Sequence, residues 1–107
     1  MPKKSMDSLT ESMFYVLMAF CGGAMCGIDV AAEIERCTNG RLRIGPATLY
    51  TILGKFEKEQ YIEEILVEGR KRTYKITEKG RAAYREELAR LRRCIEDAER
   101  AKGGSLL

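Results

Sequence analysis

Apolar residues recur at two different periods along the chain, and the change of period separates helices from a hairpin. Residues 9–20 are apolar with few interruptions, which predicts a first helix that is largely buried. Ser8 and Glu11 have the Ser-x-x-Glu spacing of a capping box, in which both side chains bond unpaired amides at a helix start. Gly22 and Gly23 end this helix, because glycine loses much backbone entropy when it is held in a helix.

The second predicted helix spans residues 28–38. Asn39 and Gly40 follow it, and both tolerate the left-handed conformation that ends many helices. Its apolar stripe consists of Ile28, Ala31, Ala32 and Ile34.

The third predicted helix runs from Pro46 to about Glu59 and has two contrasting faces. Proline suits the first helical turn, where its missing N–H is no loss. One face is apolar and predicts burial: Leu49, Ile52, Leu53 and Phe56. The opposite face is small at its centre and basic toward its end: Ala47, Thr51, Gly54, Lys55 and Lys58, with Thr48 and Tyr50 at its flanks. Such a face can approach a polyanion closely.

A β-hairpin is predicted directly after this helix. Residues 61–67 are rich in β-formers, and residues 72–76 alternate so that Tyr74 and Ile76 share a face. The intervening turn contains Gly69 and is flanked by cations. The order of three helices and a two-stranded wing is that of a winged helix-turn-helix, whose third helix enters the major groove of DNA.

The last predicted helix begins after Thr77, a helix N-cap, and runs from Glu78 to about Lys102. Its apolar residues alternate at spacings of four and three, which is the pattern of a coiled-coil seam: Tyr84, Leu88, Leu91, Ile95 and Ala98. A narrow seam on a highly charged helix predicts a partner helix, and thus a homodimer. We therefore expect a mainly α fold with a DNA-binding domain over residues 1–77, a dimerisation helix over 78–102 and a flexible tail over 103–107.

Composition limits the function more than it defines it. The chain has 107 residues and a net charge of +3, which is compatible with binding nucleic acid but would not indicate it alone. The longest apolar run is too short to span a bilayer, so no membrane partner is expected. Acidic residues precede that run and no signal-cleavage pattern follows it, which predicts a cytoplasmic protein.

Catalysis is not expected, because the chain contains no histidine and no phosphate-binding or metal-binding loop motif. No cofactor or metal is predicted either. The four cysteines lack Cys-x-x-Cys spacing, so the main interpretation is reduced thiols that pack as small apolar groups. A thiol- or metal-responsive sensor remains the alternative.

Five segments together resemble PadR-type transcription regulators. They are LTESMFYVL at residues 9–17, MCGID at 25–29, GPATLYTIL at 45–53, FEKE at 56–59 and RTYKITEKGR at 72–81. The resemblance implies a homodimeric repressor that binds a pseudo-palindromic operator in double-stranded DNA and is released or retuned by a small-molecule effector. Gln60 stands where the family usually has glycine, and this departure bears on the angle at which the wing leaves the third helix.

The residues predicted to contact DNA lie before the third helix, on it and in the wing: Arg43, Ala47, Thr48, Tyr50, Thr51, Lys55, Arg70, Lys71 and Arg72. Arg41 is a further phosphate candidate in the turn before the third helix. The alternative in which the winged fold only docks proteins is disfavoured by the basic face.

Overall fold

The computed structural model describes residues 9–101 and contains four helices and a small antiparallel sheet. In chain order the elements are α1 (Glu11–Cys21), β1 (Met25–Cys26), α2 (Gly27–Cys37), α3 (Pro46–Lys58), β2 (Ile62–Glu68), β3 (Lys71–Ile76) and α4 (Glu78–Ala101). The predicted order of helices and wing is confirmed. The tail at residues 103–107 lies outside the described residues.

The start of α1 differs from the prediction. Thr10 is the N-cap, and its hydroxyl oxygen accepts a hydrogen bond of 3.1 Å from the Met13 amide. The helix therefore begins at Glu11, so the predicted start at Leu9 is wrong by two residues. Threonine caps a helix by the same bond as serine. Ser8, the other half of the predicted capping box, lies outside the described residues.

The core is built from α1, α2, one face of α3 and the inner face of the sheet. Val16, Leu17 and Phe20 of α1 are completely buried. The four apolar residues predicted to face inward on α3 are all buried as well, which confirms that face: Leu49, Ile52, Leu53 and Phe56. Because these side chains fix the rotation of α3, its opposite face is turned to solvent.

The sheet has a third strand that the sequence pattern did not predict. β1 is only two residues long and pairs with β3, so the strand order is β1-β3-β2. The wing hairpin closes through the two residues Gly69 and Arg70, with Gly69 at a φ of +63°. A bulge lies between Glu64 and Leu66. Beside it, β2 forms an open sheet edge with three adjacent half-exposed apolar side chains: Ile65, Leu66 and Val67.

Thr77 is the predicted cap of α4, and it also ties that helix to the end of α3. Its hydroxyl oxygen accepts from the Gly80 amide at 3.0 Å and the same hydroxyl donates to the carbonyl oxygen of Gln60 at 2.6 Å. A Cβ atom at Gly80 would overlap the Tyr61 carbonyl. Glycine is thus required where the first turn of α4 crosses the backbone that enters the wing.

The two halves of α4 have different surroundings. In the first half Tyr84 stacks on Phe14 of α1, with 5.2 Å between ring centroids and 16° between ring planes. Tyr84 therefore packs against its own chain and is half-buried there. From Arg92 to Ala101 every residue is exposed, and Ile95 has 56% of its surface in solvent. No helix in residues 9–101 is long and apolar enough to cross a membrane.

Candidate nucleic-acid interface

The outer face of α3 is bounded on one side by a groove against the start of α1. Thr10 and Ser12 of the α1 start line this groove, which has a volume of about 380 Å³. The structure places four predicted DNA-binding residues along it: Ala47, Thr48, Thr51 and Lys55. The Thr51 hydroxyl donates to the Ala47 carbonyl at 3.0 Å, which leaves the lone pairs of its oxygen free to accept, and the residue is exposed.

On its other side, α3 meets the wing across a second depression, which we call the wing cleft. Its lining comes from the start of α2, from α3 and from the wing, and includes Ile28, Tyr50, Gly54, Arg70, Lys71 and Arg72. Tyr50 is 64% exposed. The structure thus brings Tyr50 and the three predicted wing cations together.

The wing cations differ in how they are paired. Arg72 lies 3.7 Å from a Glu64 carboxylate oxygen, and the Tyr74 side chain together with this carboxylate raises the pKa of Arg72. Arg70 and Lys71 make no ion pair with any residue between 9 and 101. These two cations are therefore available to an external anion.

The two arginines before α3 are held by other parts of the chain. Arg41 donates to Glu11 and to the Tyr15 hydroxyl, both at 3.0 Å, and so ties the connector to α1. Arg43 pairs with Glu35 of α2 at 3.3 Å. Arg43 lines neither the groove nor the wing cleft. It can reach a phosphate only by giving up this exposed pair, which costs little.

Several residues that line these surfaces do not follow from the sequence pattern. The apolar stripe predicted for α2 includes Ile28, but Ile28 is 77% exposed at the rim of the wing cleft. The buried residues of α2 are instead Gly27, Val30 and Ile34, which the spacing of three and four would have identified. Asp29 and Glu57 also line the cleft. Asp29 and Glu57 reach the cleft only because α2, α3 and the wing pack together, and no local sequence pattern predicts that packing.

The cysteines do not form a common site. All four are free thiols at separate positions, with Cys26 buried and Cys37 and Cys94 exposed. Burial is the main cause that raises the pKa of Cys21. Between residues 9 and 101 no group of three metal-ligating side chains comes together.

Solved structures with the same fold include several regulators. A transcriptional regulator from Clostridium thermocellum matches with a TM-score of 0.74 and 23% identity, over 82% of this chain and 89% of that one. A PadR family transcription regulator from Clostridium difficile gives 0.70 and 12%, over 82% and 94%. Bacillus subtilis PadR, solved in complex with operator DNA, gives 0.65 and 18%, over 74% and 47%.

Two relatives have a higher sequence identity to this chain than the solved structures do, and both are described as uncharacterized proteins. An uncharacterized 37.1 kDa protein in transposon Tn4556 of Streptomyces fradiae is 32% identical over 84 residues, which are 76% of this chain and 24% of that protein. An uncharacterized protein X of Lysinibacillus sphaericus is 34% identical over 68 residues, 60% of this chain and 62% of that protein. The chain thus spans less than two thirds of the length of either relative.

The family assignment rests on residues 16–86. These residues match the Transcriptional regulator PadR-like family, and they include α2, α3, the wing and the first turns of α4. The matched region therefore contains the wing cleft and the whole of α3. The chain therefore belongs to the Transcriptional regulator PadR-like family and has a winged-helix fold.

Proposed function

We propose that two copies of this chain bind a pseudo-palindromic operator in double-stranded DNA, repress transcription there, and are released by a small-molecule effector. Residues 1–77 serve as the DNA-binding unit and residues 78–102 as the dimerisation helix. One observation carries the proposal: the outer face of α3 and the unpaired cations of the wing adjoin each other across the wing cleft. A duplex can meet both at once, as in other winged helices.

Base recognition is assigned to the outer face of α3. Ala47 is small, and the space around a Cβ atom at Gly54 is empty within 4 Å, so the helix can approach the floor of the major groove. Thr51 offers acceptor lone pairs and a methyl group, and Lys55 can donate to guanine. Thr48 stands beside them in the groove against α1.

Phosphate contacts are assigned to the cations and hydroxyls around this face. Arg70, Lys71 and Arg72 are exposed in the wing, and the Tyr50 hydroxyl lies between them and α3. Arg43 joins them when a phosphate replaces Glu35. The wing contacts add affinity for any sequence and make binding depend on salt.

Dimerisation is assigned to the seam of α4. Leu88 and Leu91 are half-buried in the single chain, whereas Ile95 and Ala98 are exposed. A second copy would cover this seam and place two α3 helices about one helical turn of DNA apart. The stacking of Tyr84 on Phe14 makes Tyr84 a support of the seam more than a contact across it.

The decisive experiment adds one negative charge to the outer face of α3. Thr51→Glu is compared with Ala89→Glu, which adds the same charge at an exposed position on α4. We expect Thr51→Glu to weaken binding to an operator fragment, selected from random DNA, by at least about a hundredfold, because it repels phosphates and removes a base contact. Ala89→Glu should bind like the wild type. Equal affinity of both variants in gel-shift titrations, with unchanged circular dichroism, would refute DNA recognition by α3.

The wing and the seam are tested separately. Arg70→Ala with Lys71→Ala should reduce the slope of log affinity against log salt by about 2, one unit per lost phosphate contact. Lys79→Ala with Arg93→Ala removes equal charge from α4 and should leave the slope unchanged.

Leu91→Asp with Ile95→Asp should convert the dimer to monomers in sedimentation experiments, because charges cannot be buried unpaired in the seam. Ala89→Asp with Arg93→Asp is the control, since both positions lie outside the seam. A dimer that survives the seam substitutions would place the subunit contact elsewhere.

A further inference from the structure

Three arginines that are phosphate candidates each form an ion pair with a glutamate from another part of the fold. The pairs are Arg41 with Glu11 of α1 at 3.0 Å, Arg43 with Glu35 of α2 at 3.3 Å and Arg72 with Glu64 of β2 at 3.7 Å. These carboxylates come from three different elements, so the fold and not a local helical spacing brings each of them to its arginine.

The remaining cations of the candidate interface are not paired in this way. Lys55, Arg70 and Lys71 make no ion pair with any residue between 9 and 101. A guanidinium group binds carboxylate and phosphate through the same parallel N–H···O bonds. A carboxylate that holds the group therefore excludes a phosphate, and each paired arginine must exchange one anion for the other before it contacts DNA.

The connector before α3 does not depend on these glutamates for its position. Arg41 also donates to the Tyr15 hydroxyl at 3.0 Å, and its guanidinium carbon lies 5.7 Å from the centroid of the Tyr15 ring. The Leu42 amide donates to the Thr38 hydroxyl at 3.1 Å. The connector thus stays anchored when a glutamate releases its arginine, and placing α3 does not explain why the glutamates are there.

All three pairs are exposed enough for DNA to open them. The exposed fraction of their side chains ranges from 30% at Glu64 to 72% at Arg43. An exposed ion pair changes an equilibrium by at most a factor of about five. Each exchange should therefore reduce the affinity for DNA by about two- to fivefold, and the three together by about tenfold to a hundredfold.

From these observations we infer that Glu11, Glu35 and Glu64 compete with DNA phosphates for the guanidinium groups, and so set the affinity for DNA below the value that the cations alone would give. This inference rests on the proposed function, because it requires the paired arginines to contact phosphates. Phosphates carry no base identity. The glutamates therefore lower the affinity for every duplex by a similar factor and leave the choice of sequence to α3.

The first test neutralises the carboxylates one at a time. Glu11→Gln, Glu35→Gln and Glu64→Gln keep the length of the side chain and remove its charge. We expect each variant to bind a random duplex and a selected operator fragment about two- to fivefold more tightly in anisotropy titrations at fixed salt. Weaker binding would show that the glutamates position the arginines for DNA, and unchanged binding would show that they do not compete. Either result would overturn the inference.

A matched control removes a carboxylate from an exposed pair outside the candidate interface. Asp97 pairs with Arg100 near the end of α4, and its side chain is 68% exposed. Asp97→Asn changes the net charge by the same amount as each glutamine substitution and should leave the affinity for both duplexes unchanged. A gain as large as that of Glu35→Gln would mean that net charge alone is responsible, which contradicts competition at the arginines.

A double-mutant cycle separates competition from direct repulsion of DNA by the carboxylate. Arg43→Gln removes the guanidinium group that Glu35 holds. When Glu35→Gln is added to Arg43→Gln, we expect no further gain in affinity, because no guanidinium group is left to release. A gain of the same size in both backgrounds would show that Glu35 repels phosphates without acting through Arg43, and the inference would be wrong.

The inference and the proposed function fail in different experiments. A protein that binds a duplex, but whose glutamine variants bind no more tightly, would refute only the competition. Equal operator affinity of Thr51→Glu and Ala89→Glu would refute recognition by α3, while the titrations with random duplex would still test the glutamates. Absence of binding to any duplex would refute both.

Discussion

The helices α3 and α4 each have a buried part and an exposed part, but the two parts are arranged differently in each helix. In α3 the division runs lengthwise, because one face is buried along its whole length and the other is exposed. In α4 the division runs across the helix. Its first turns are fastened to the wing and to α1, while residues 92–101 have no buried position.

This difference determines what a substitution can report. Neighbouring residues of α3 lie on its buried or on its exposed face. Substitutions one or two positions apart therefore separate effects on folding from effects on DNA recognition. In α4 the buried and the exposed parts are instead successive segments of the helix. A substitution near its end leaves the domain intact and reports on assembly alone.

The largest effect on stability is expected on the buried face of α3. Leu53 is almost fully buried, so Leu53→Ala should lower the free energy of unfolding by about 2–5 kcal/mol through lost burial and a cavity. Thr51→Ala, two residues away on the exposed face, should change it by less than about 0.5 kcal/mol. Urea denaturation followed by circular dichroism measures both. Similar losses at the two positions would contradict the lengthwise division.

Two glycines give the next contrast. Gly80→Ala should cost about 3 kcal/mol, because its Cβ overlaps the Tyr61 carbonyl and α4 must shift. Gly54→Ala should instead stabilise the protein by about 0.5–1 kcal/mol, since alanine favours helix and the position is open. Thermal unfolding of the two variants should thus move in opposite directions. A stable Gly80→Ala protein would mean that α4 is less firmly seated than described.

The two halves of α4 can be compared through matched ion pairs. Glu87 with Arg90 and Asp97 with Arg100 have the same spacing, but the Glu87 side chain is 7% exposed and the Asp97 side chain 68%. Glu87→Gln should cost about 1–2 kcal/mol at neutral pH, and Asp97→Asn less than about 0.5 kcal/mol.

The stability from Glu87 should also depend on pH. The hydrogen bonds from Arg90 lower the pKa of Glu87, and the Leu9 amide adds to this effect. A carboxyl with a lowered pKa stabilises the fold above its unfolded pKa of about 4.3. That contribution is lost as the pH falls through the folded value. Denaturation between about pH 6 and pH 3 should show a steeper decline for the wild type than for Glu87→Gln.

The smallest effect is expected at the joint between α3 and β2. Gln60 has a φ of +64°, the left-handed conformation that glycine adopts without strain. Gln60→Gly should therefore raise the free energy of unfolding by about 0.5 kcal/mol, the difference between relieved strain and added chain entropy. Glu59→Gly, at a right-handed position, should lower it. Destabilisation by both substitutions would contradict strain at Gln60.

Period and capping predicted most of the fold because they are local. The buried and exposed faces of α3 followed from the spacing of its apolar residues. The end of α2 followed from Asn39 and Gly40, and the start of α4 followed from Thr77. The short strand β1 was not predicted, because two residues cannot show an alternating pattern.

The site was predicted only in part for a related reason. Ile28, Asp29 and Glu57 become neighbours of the wing cations only when α2, α3 and the wing are packed together. The need for glycine at position 80 likewise depends on a carbonyl far away along the chain.

The open edge of the wing has a consequence for the protein in concentrated solution. Three consecutive half-exposed apolar side chains lie on a strand whose outer edge is unpaired, and such an edge is a template onto which the same strand of another molecule can add. Glu68 after them makes no ion pair with any residue between 9 and 101, whereas Glu63 and Glu64 before them are paired with Lys75 and Arg72. Charged side chains at such an edge resist edge-to-edge addition. The bulge at Glu64–Leu66 further breaks the regular ladder that a growing sheet would need. The charged residues and the bulge of β2 therefore oppose aggregation through this edge of the wing.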